Sequence, residues 1–164
     1  MADVFFIRPA TQEDGSFLQQ MLAVAADWSQ PVPRPAAEII SDSMSARYID
    51  GWRRDDDEGV VAEEGPRPIG AAWWRFFDAA HRGYGYVEDT IPELSIGVVR
   101  DNRGRGVGEA LMRALIDRAR TRNLAGLSLS VDPRNNALRL YQRLSFKEVG
   151  GTGGSLTMVL HLGE

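Results

Sequence analysis

The chain has 164 residues, a net charge of −4, 43% hydrophobic and 26% charged residues, and no cysteine. Its length suits one domain, and the missing cysteine excludes a disulfide scaffold, thiolate metal sites, iron–sulfur clusters and a cysteine nucleophile. The balance is globular, no apolar run approaches the roughly 18 residues that span a bilayer, and Asp3 stands where a signal peptide carries basic residues, so a cytoplasmic protein with no membrane partner is expected.

Residues 4–8, VFFIR, are predicted to form a strand that Pro9 ends. Thr11 and Asp14 have capping-box spacing, with Asp in place of Glu. Phe17, Leu18, Met21, Leu22 and Ala25 then follow helical spacing. Residues 29–35, SQPVPRP, hold three prolines and are a loop. A second helix is predicted over residues 36–52, with Ile40, Met44 and Tyr48 on one stripe. The run Asp55-Asp56-Asp57-Glu58 reads as a solvated turn, since it lacks calcium-loop spacing.

Residues 59–64 and 69–77 read as strands joined by a hairpin at Gly65-Pro66-Arg67-Pro68. Residues 78–92 are a longer loop. Residues 93–99, ELSIGVV, form a strand with Leu94, Ile96 and Val98 on one face and Glu93, Ser95, Gly97 and Val99 on the other. A helix at 107–122, a strand at 127–131, a short helix at 135–144 and strands at 146–150 and 155–161 complete the chain. The order β-α-α-β-β-β-α-β-α-β-β is an α/β (α+β) arrangement on a mixed sheet, with a right-handed parallel crossover over 93–131.

The stretch Arg100-Asp101-Asn102-Arg103-Gly104-Arg105-Gly106-Val107-Gly108 carries the chemistry. It links a strand to a helix N-terminus. Its glycines let the backbone approach a ligand closely, the helix dipole adds positive potential, and Arg103 and Arg105 add full charges. Residues 100–143 hold 10 Arg against 4 Asp and Glu, while residues 1–99 hold 8 Arg against 17 acids. A basic stretch in an acidic chain suits a local anion such as pyrophosphate; a glycine-rich helix start with solvated arginines is the plainer account. Nucleic-acid binders are basic as whole domains, so no nucleic-acid partner is expected.

Walker A spacing is missing, because no Gly-Lys-Ser/Thr follows. The dinucleotide spacing G-x-G-x-x-G is missing too. Asp132, after the next strand, stands where a ribose-binding acid would, which keeps a dinucleotide-dependent oxidoreductase as an alternative. The only histidines are His81 and His161. Without H-E-x-x-H or G-x-S-x-G, zinc and serine hydrolases are excluded. Asp78 and His81 read as a surface pair, and no metal is expected.

Arg103, Gly106 and Gly108 match R-x-x-G-x-G, and residues 135–146, NNALRLYQRLSF, match a second signature, N…A…LY…GF, about 30 residues on. With Ile7-Arg8-Pro9-Ala10-Thr11 before the first helix, the chain resembles the GNAT superfamily of acetyl-CoA-dependent N-acetyltransferases. Ser145 departs from the usual Gly. The resemblance implies a single domain over 1–164, with a mostly antiparallel sheet of about seven strands and helices on both faces. It implies that Arg103, Gly104, Arg105, Gly106, Val107 and Gly108 hold the CoA pyrophosphate. The backbones of Val98 and Val99 would pair with the pantetheine arm, which Asn135 would also bond. Tyr141 would be the general acid at the thioester sulfur and Glu93 the base for the amine. A helix residue packed on the sheet and an exposed strand-end acid are the plainer accounts of those two. Trp73 and Trp74 point to opposite faces, one into the core and the other, with Tyr84 and Tyr86, toward the acceptor. Acetyl-CoA as cosubstrate and an unidentified amine are the expected partners; a homodimer is admitted. A non-catalytic acyl-CoA-binding module is the second alternative.

Overall fold

The computed structural model describes residues 4–163; Asp3 lies outside them. The strands are β1 (Phe6–Pro9), β2 (Glu58–Glu64), β3 (Arg67–Arg75), β4 (Glu93–Val98), β5 (Gly126–Val131), β6 (Lys147–Thr152) and β7 (Ser155–His161). They form a seven-stranded mixed sheet in the order β1-β2-β3-β4-β5-β7-β6. The helices are α1 (Gly15–Ala26), α2 (Ala36–Ile40), α3 (Ser43–Ala46), α4 (Val107–Thr121) and α5 (Ala137–Arg143). Among the described residues no helix is long and apolar enough to cross a membrane.

The chain divides into two compact units, one of residues up to Trp74 with Ser95–Leu115, the other of Arg75–Leu94 with Ile116 onward. In the first, Pro9 is the last residue of β1, opposite Val60, and the strand ends there as expected. An edge strand loses no ladder bond to a proline, and β1 is the sheet's edge. The Thr11 N–H donates to Asp14 Oδ2 at 2.6 Å, the reciprocal half of a capping box, and a 3₁₀ turn over Gln12–Asp14 leads into α1. The hairpin forms with Glu64 opposite Arg67 around Gly65 and Pro66.

The single helix predicted over 36–52 is instead two short ones. Asp42 stops the first and caps the second, its carboxylate accepting from the Ser45 N–H at 3.1 Å. Ser41 bonds back to the Glu38 carbonyl. Three consecutive cap-forming residues, Ser41, Asp42 and Ser43, outcompete the helix there. Ile39, not Ile40, is the buried position.

Trp73 and Trp74 are both 1% exposed. Their indole N–H groups donate to the carbonyls of Tyr48 (2.8 Å) and Asp56 (3.0 Å). Neither is left as the acceptor wall that alternation suggested for one of them. Asp57 and Glu58, expected in a solvated turn, are buried, and Glu58 lies 3.6 Å from Arg53. In the second unit β5 pairs with β7 antiparallel, burying Leu127, Leu129, Met158 and Leu160, and β6 is an exposed edge. Tyr86 donates a short hydrogen bond to Asp89 and lies under Arg82, within its own loop, while Tyr84 is exposed. His81 Nδ1 and Asp78 Oδ1 are an exposed pair 3.2 Å apart.

Candidate active-site residues

In the first unit the end of β4 runs into a 3₁₀ turn, Arg100–Asn102, and then into α4. Asn102 anchors the turn. It is buried, and its Oδ1 accepts from Arg67 Nη2 at 3.0 Å. Gly104 and Gly106 both have φ of +80°, a region that side chains disfavour, and nothing stands within 4 Å of where their Cβ atoms would be. The Gly106 carbonyl accepts the first helical bond, from the Ala110 N–H at 3.0 Å. The amides of Val107, Gly108 and Glu109 therefore open α4 with no intrahelical acceptor. A bare, concave backbone at the positive end of a 15-residue helix suits a multiply charged anion.

The two predicted arginines differ. Arg105 Nη2 donates to Glu64 Oε2 at 2.9 Å, and its guanidinium lies 5.9 Å from the Phe5 ring. Arg103 has no acidic partner among the described residues. Burial, and then repulsion from Arg100, hold its pKa below the ordinary guanidinium value. It remains charged and unneutralised. Arg100 spends one N–H on the Gln30 carbonyl.

Both backbone groups of Val99 are engaged within the protein. Its N–H donates to the Ile69 carbonyl at 2.8 Å and its carbonyl accepts from the Asn102 N–H at 2.9 Å. Successive strand amides point to opposite edges, so the Val98 backbone faces away from β3 and is the better partner for an extended ligand arm.

A cleft of about 380 Å³ adjoins this segment, walled by Met21 and Val24 of α1, by Pro31 and Pro33, and by Val99 and Arg103. Asp27 fixes its proline-rich wall. Its carboxylate accepts from the Arg34 N–H (2.8 Å), Nε (2.9 Å) and Nη2 (2.8 Å). Those bonds hold the Asp27 pKa below the usual range. Sequence reasoning missed this clamp, since its ends lie seven positions apart across a loop.

In the second unit Tyr141 of α5 is 6% exposed, and burial pushes its hydroxyl up to about 12. Its ring centroid is 6.1 Å from that of Phe146. Asn135 turns its Oδ1 inward to accept from the Ala137 N–H at 2.9 Å, which starts α5. Its Nδ2 has no protein partner among the described residues and remains a donor. Asp132 is tied to Arg134 at 2.7 Å, which lowers its pKa to about 2.

Glu93 is 3% exposed, so alternation misled about its burial. It pairs in parallel register with Ser128 of β5, and the Ser128 N–H donates to the Pro92 carbonyl at 3.0 Å. Ser128 is fully buried, and its Oγ has no hydrogen-bond partner among the described residues. Nothing in the alternation of LSLSV marks that position, because which strand pairs with which is not local information.

The sequence pattern of the Acetyltransferase (GNAT) family matches residues 22–146. The chain belongs to the GNAT acetyltransferase family. An N-acetyltransferase from Staphylococcus aureus Mu50 has the same fold, with a TM-score of 0.70 at 22% identity, covering 97% of this chain and 99% of that one. The ribosomal-protein-S18-alanine N-acetyltransferase of Escherichia coli superposes at 0.68 with 20% identity, over 98% of this chain and 96% of that one. The protein yncA from Salmonella typhimurium, solved with acetyl-CoA, superposes at 0.64 with 22% identity, over 98% and 95%. No curated protein matches the sequence. Membership in this GNAT family sets aside the dinucleotide-dependent oxidoreductase. Among the described residues no group of three or more His, Asp or Glu is arranged to hold a metal ion.

Proposed function

We propose that this GNAT chain, working as one domain over 1–164, moves an acetyl group from acetyl-CoA to an amine by direct attack in a ternary complex. The observation that carries the reading is the loop at 103–108. Two glycines with φ of +80° and open space above them, at the start of α4, suit the close approach of a pyrophosphate. Arg103 supplies the charge. The Val98 backbone takes the pantetheine arm, and an amide there polarises the thioester carbonyl. The Asn135 Nδ2 donates to the same arm.

The amine arrives protonated, and Glu93 takes that proton. The free amine attacks the carbonyl carbon, a C–N bond forms, and the C–S bond breaks. The thiolate of reference pKa about 8.5 leaves under a hydrogen bond from Tyr141 and takes the second proton that the attacking nitrogen sheds as the amide forms, giving CoA. No acyl-enzyme is formed, which fits a chain without cysteine. The acidity of residues 1–99 favours a cationic acceptor.

A panel of small amines and peptide N-termini, assayed by thiol release with mass detection of the acetylated product, tests the reading. Release that depends on the acceptor supports it. Tight acetyl-CoA binding with no release for any amine would favour a non-catalytic acyl-CoA-binding module.

A further inference from the structure

We propose that the Ser128 hydroxyl positions the Glu93 carboxylate by donating a hydrogen bond to it, directly after a rotamer change or across one buried water. The inference rests on the reading of Glu93 as the proton acceptor and adds a residue to it.

Ser128 is 0% exposed, and its Oγ has no hydrogen-bond partner among the described residues. A buried hydroxyl without a partner is costly, and such exceptions call for a ligand, a water or a functional neighbour. The sheet register says which neighbour is available. Ser128 stands opposite Glu93 on one side and opposite Val159 on the other. Residues in register project from the same face of a sheet, about 4.8 Å apart. Val159 offers no acceptor and Glu93 offers a carboxylate. Leu127 and Leu129 project from the other face, where their register partners are Leu160 and Met158. Both Glu93 and Ser128 are removed from bulk water, so a bond between them is stronger than one at the surface.

Such a bond holds one carboxylate oxygen in place and favours the anionic form that accepts a proton. The charged or titratable side chains of this unit include His161, two residues beyond Val159 on the same face of β7. Arg75 is buried, and Lys147 lies opposite Val159 in the same row. Tyr141 holds its proton up to about 12. Asp78, His81, Arg82, Glu88 and Asp89 lie on exposed loop, as does Arg134, the partner of Asp132.

The test is the pH profile of kcat/KM for the wild type, Ser128→Ala, Ser128→Thr, Glu93→Gln and the Ser128→Ala/Glu93→Gln double variant. It is joined by a carboxyl NMR titration of Glu93 in the wild type and Ser128→Ala. Loss of one hydrogen bond to a charged group moves the acid limb upward by about one to two pH units in Ser128→Ala. Ser128→Thr keeps the hydroxyl and the wild-type limb. In the Glu93→Gln background the Ala change adds less than about a twofold loss, as expected for two residues acting as one unit. A wild-type limb in Ser128→Ala, with the same loss in both backgrounds, overturns the proposal and leaves Ser128 a packing residue. If Glu93→Gln keeps the wild-type rate and profile, Glu93 is not the base. The titration then decides: a Glu93 carboxyl that titrates higher in Ser128→Ala keeps the contact, and an unmoved one overturns it.

Discussion

Burial pushes the Tyr141 hydroxyl up to about 12, above a thiol reference of about 8.5. Outright proton transfer to a solvated thiolate is then uphill by about 5 kcal/mol. Tyr141 serves better as a hydrogen-bond donor to charge developing on sulfur. A bond to a charged group is worth about 1.5–3 kcal/mol. Tyr141→Phe is therefore expected to lower kcat by about ten- to a hundredfold, with acetyl-CoA affinity within a few-fold. Steady-state kinetics with calorimetry checks this, and a loss under threefold makes Tyr141 a packing residue. The same pKa governs alkaline stability. Below pH 10 the folded and unfolded chains both keep the phenolic proton. Between pH 10 and 12 the unfolded chain releases it first, so stability falls by about 2 to 3 kcal/mol. Urea unfolding across that window should show a shallower loss in Tyr141→Phe than in the wild type; equal slopes would contradict the buried phenol.

At the scale of elements, two glycines of the first unit separate structure from binding. A Cβ on Gly97 of β4 would stand 2.4 Å from the Met21 carbonyl oxygen, so α1 and β4 approach backbone to backbone there. Gly97→Ala forces one of them to move and should cost at least about 1–3 kcal/mol in the range of overpacked cores, read as a lower melting temperature. Gly106 has open space instead; its φ of +80° strains the backbone under any side chain, and the remaining cost falls on the ligand. The contrast also shows what was legible. R-x-x-G-x-G and N…LY were readable because a glycine-rich turn and a helix start are local in the chain. The proline-rich loop and the hairpin were readable for the same reason. The break at Ser41-Asp42-Ser43 was missed because the apolar stripe through Met44 and Tyr48 outweighed the cap chemistry. The burial of Glu93, Trp73 and Trp74 together, the engagement of Val99 with Ile69, and the row Glu93–Ser128–Val159 are products of strand pairing, which alternation within one strand does not contain.

At the scale of the molecule, acid strength is set by carboxylates held in arginine forks in both units. Hydrogen bonds from Arg8, Arg34 and Arg134 lower the pKa values of Asp14, Asp27 and Asp132, the last to about 2. Groups with depressed folded-state values contribute stability above their unfolded value of about 3.9, and it is lost as pH falls toward about 2. The urea midpoint should hold from pH 7 to 5 and drop between pH 4 and 2; a midpoint unchanged at pH 2.5 would contradict the pairing. Ligand binding by the loop that opens α4 is the property on which the proposed reaction depends. Calorimetric titration of acetyl-CoA into the wild type and into Gly106→Val, with circular dichroism to confirm folding and NAD as the competing ligand, tests it most directly. The wild type should bind acetyl-CoA but not NAD, and the folded variant should lose at least about tenfold in affinity from blocked amides. Undiminished affinity in a folded Gly106→Val, or equal binding of NAD, would contradict it.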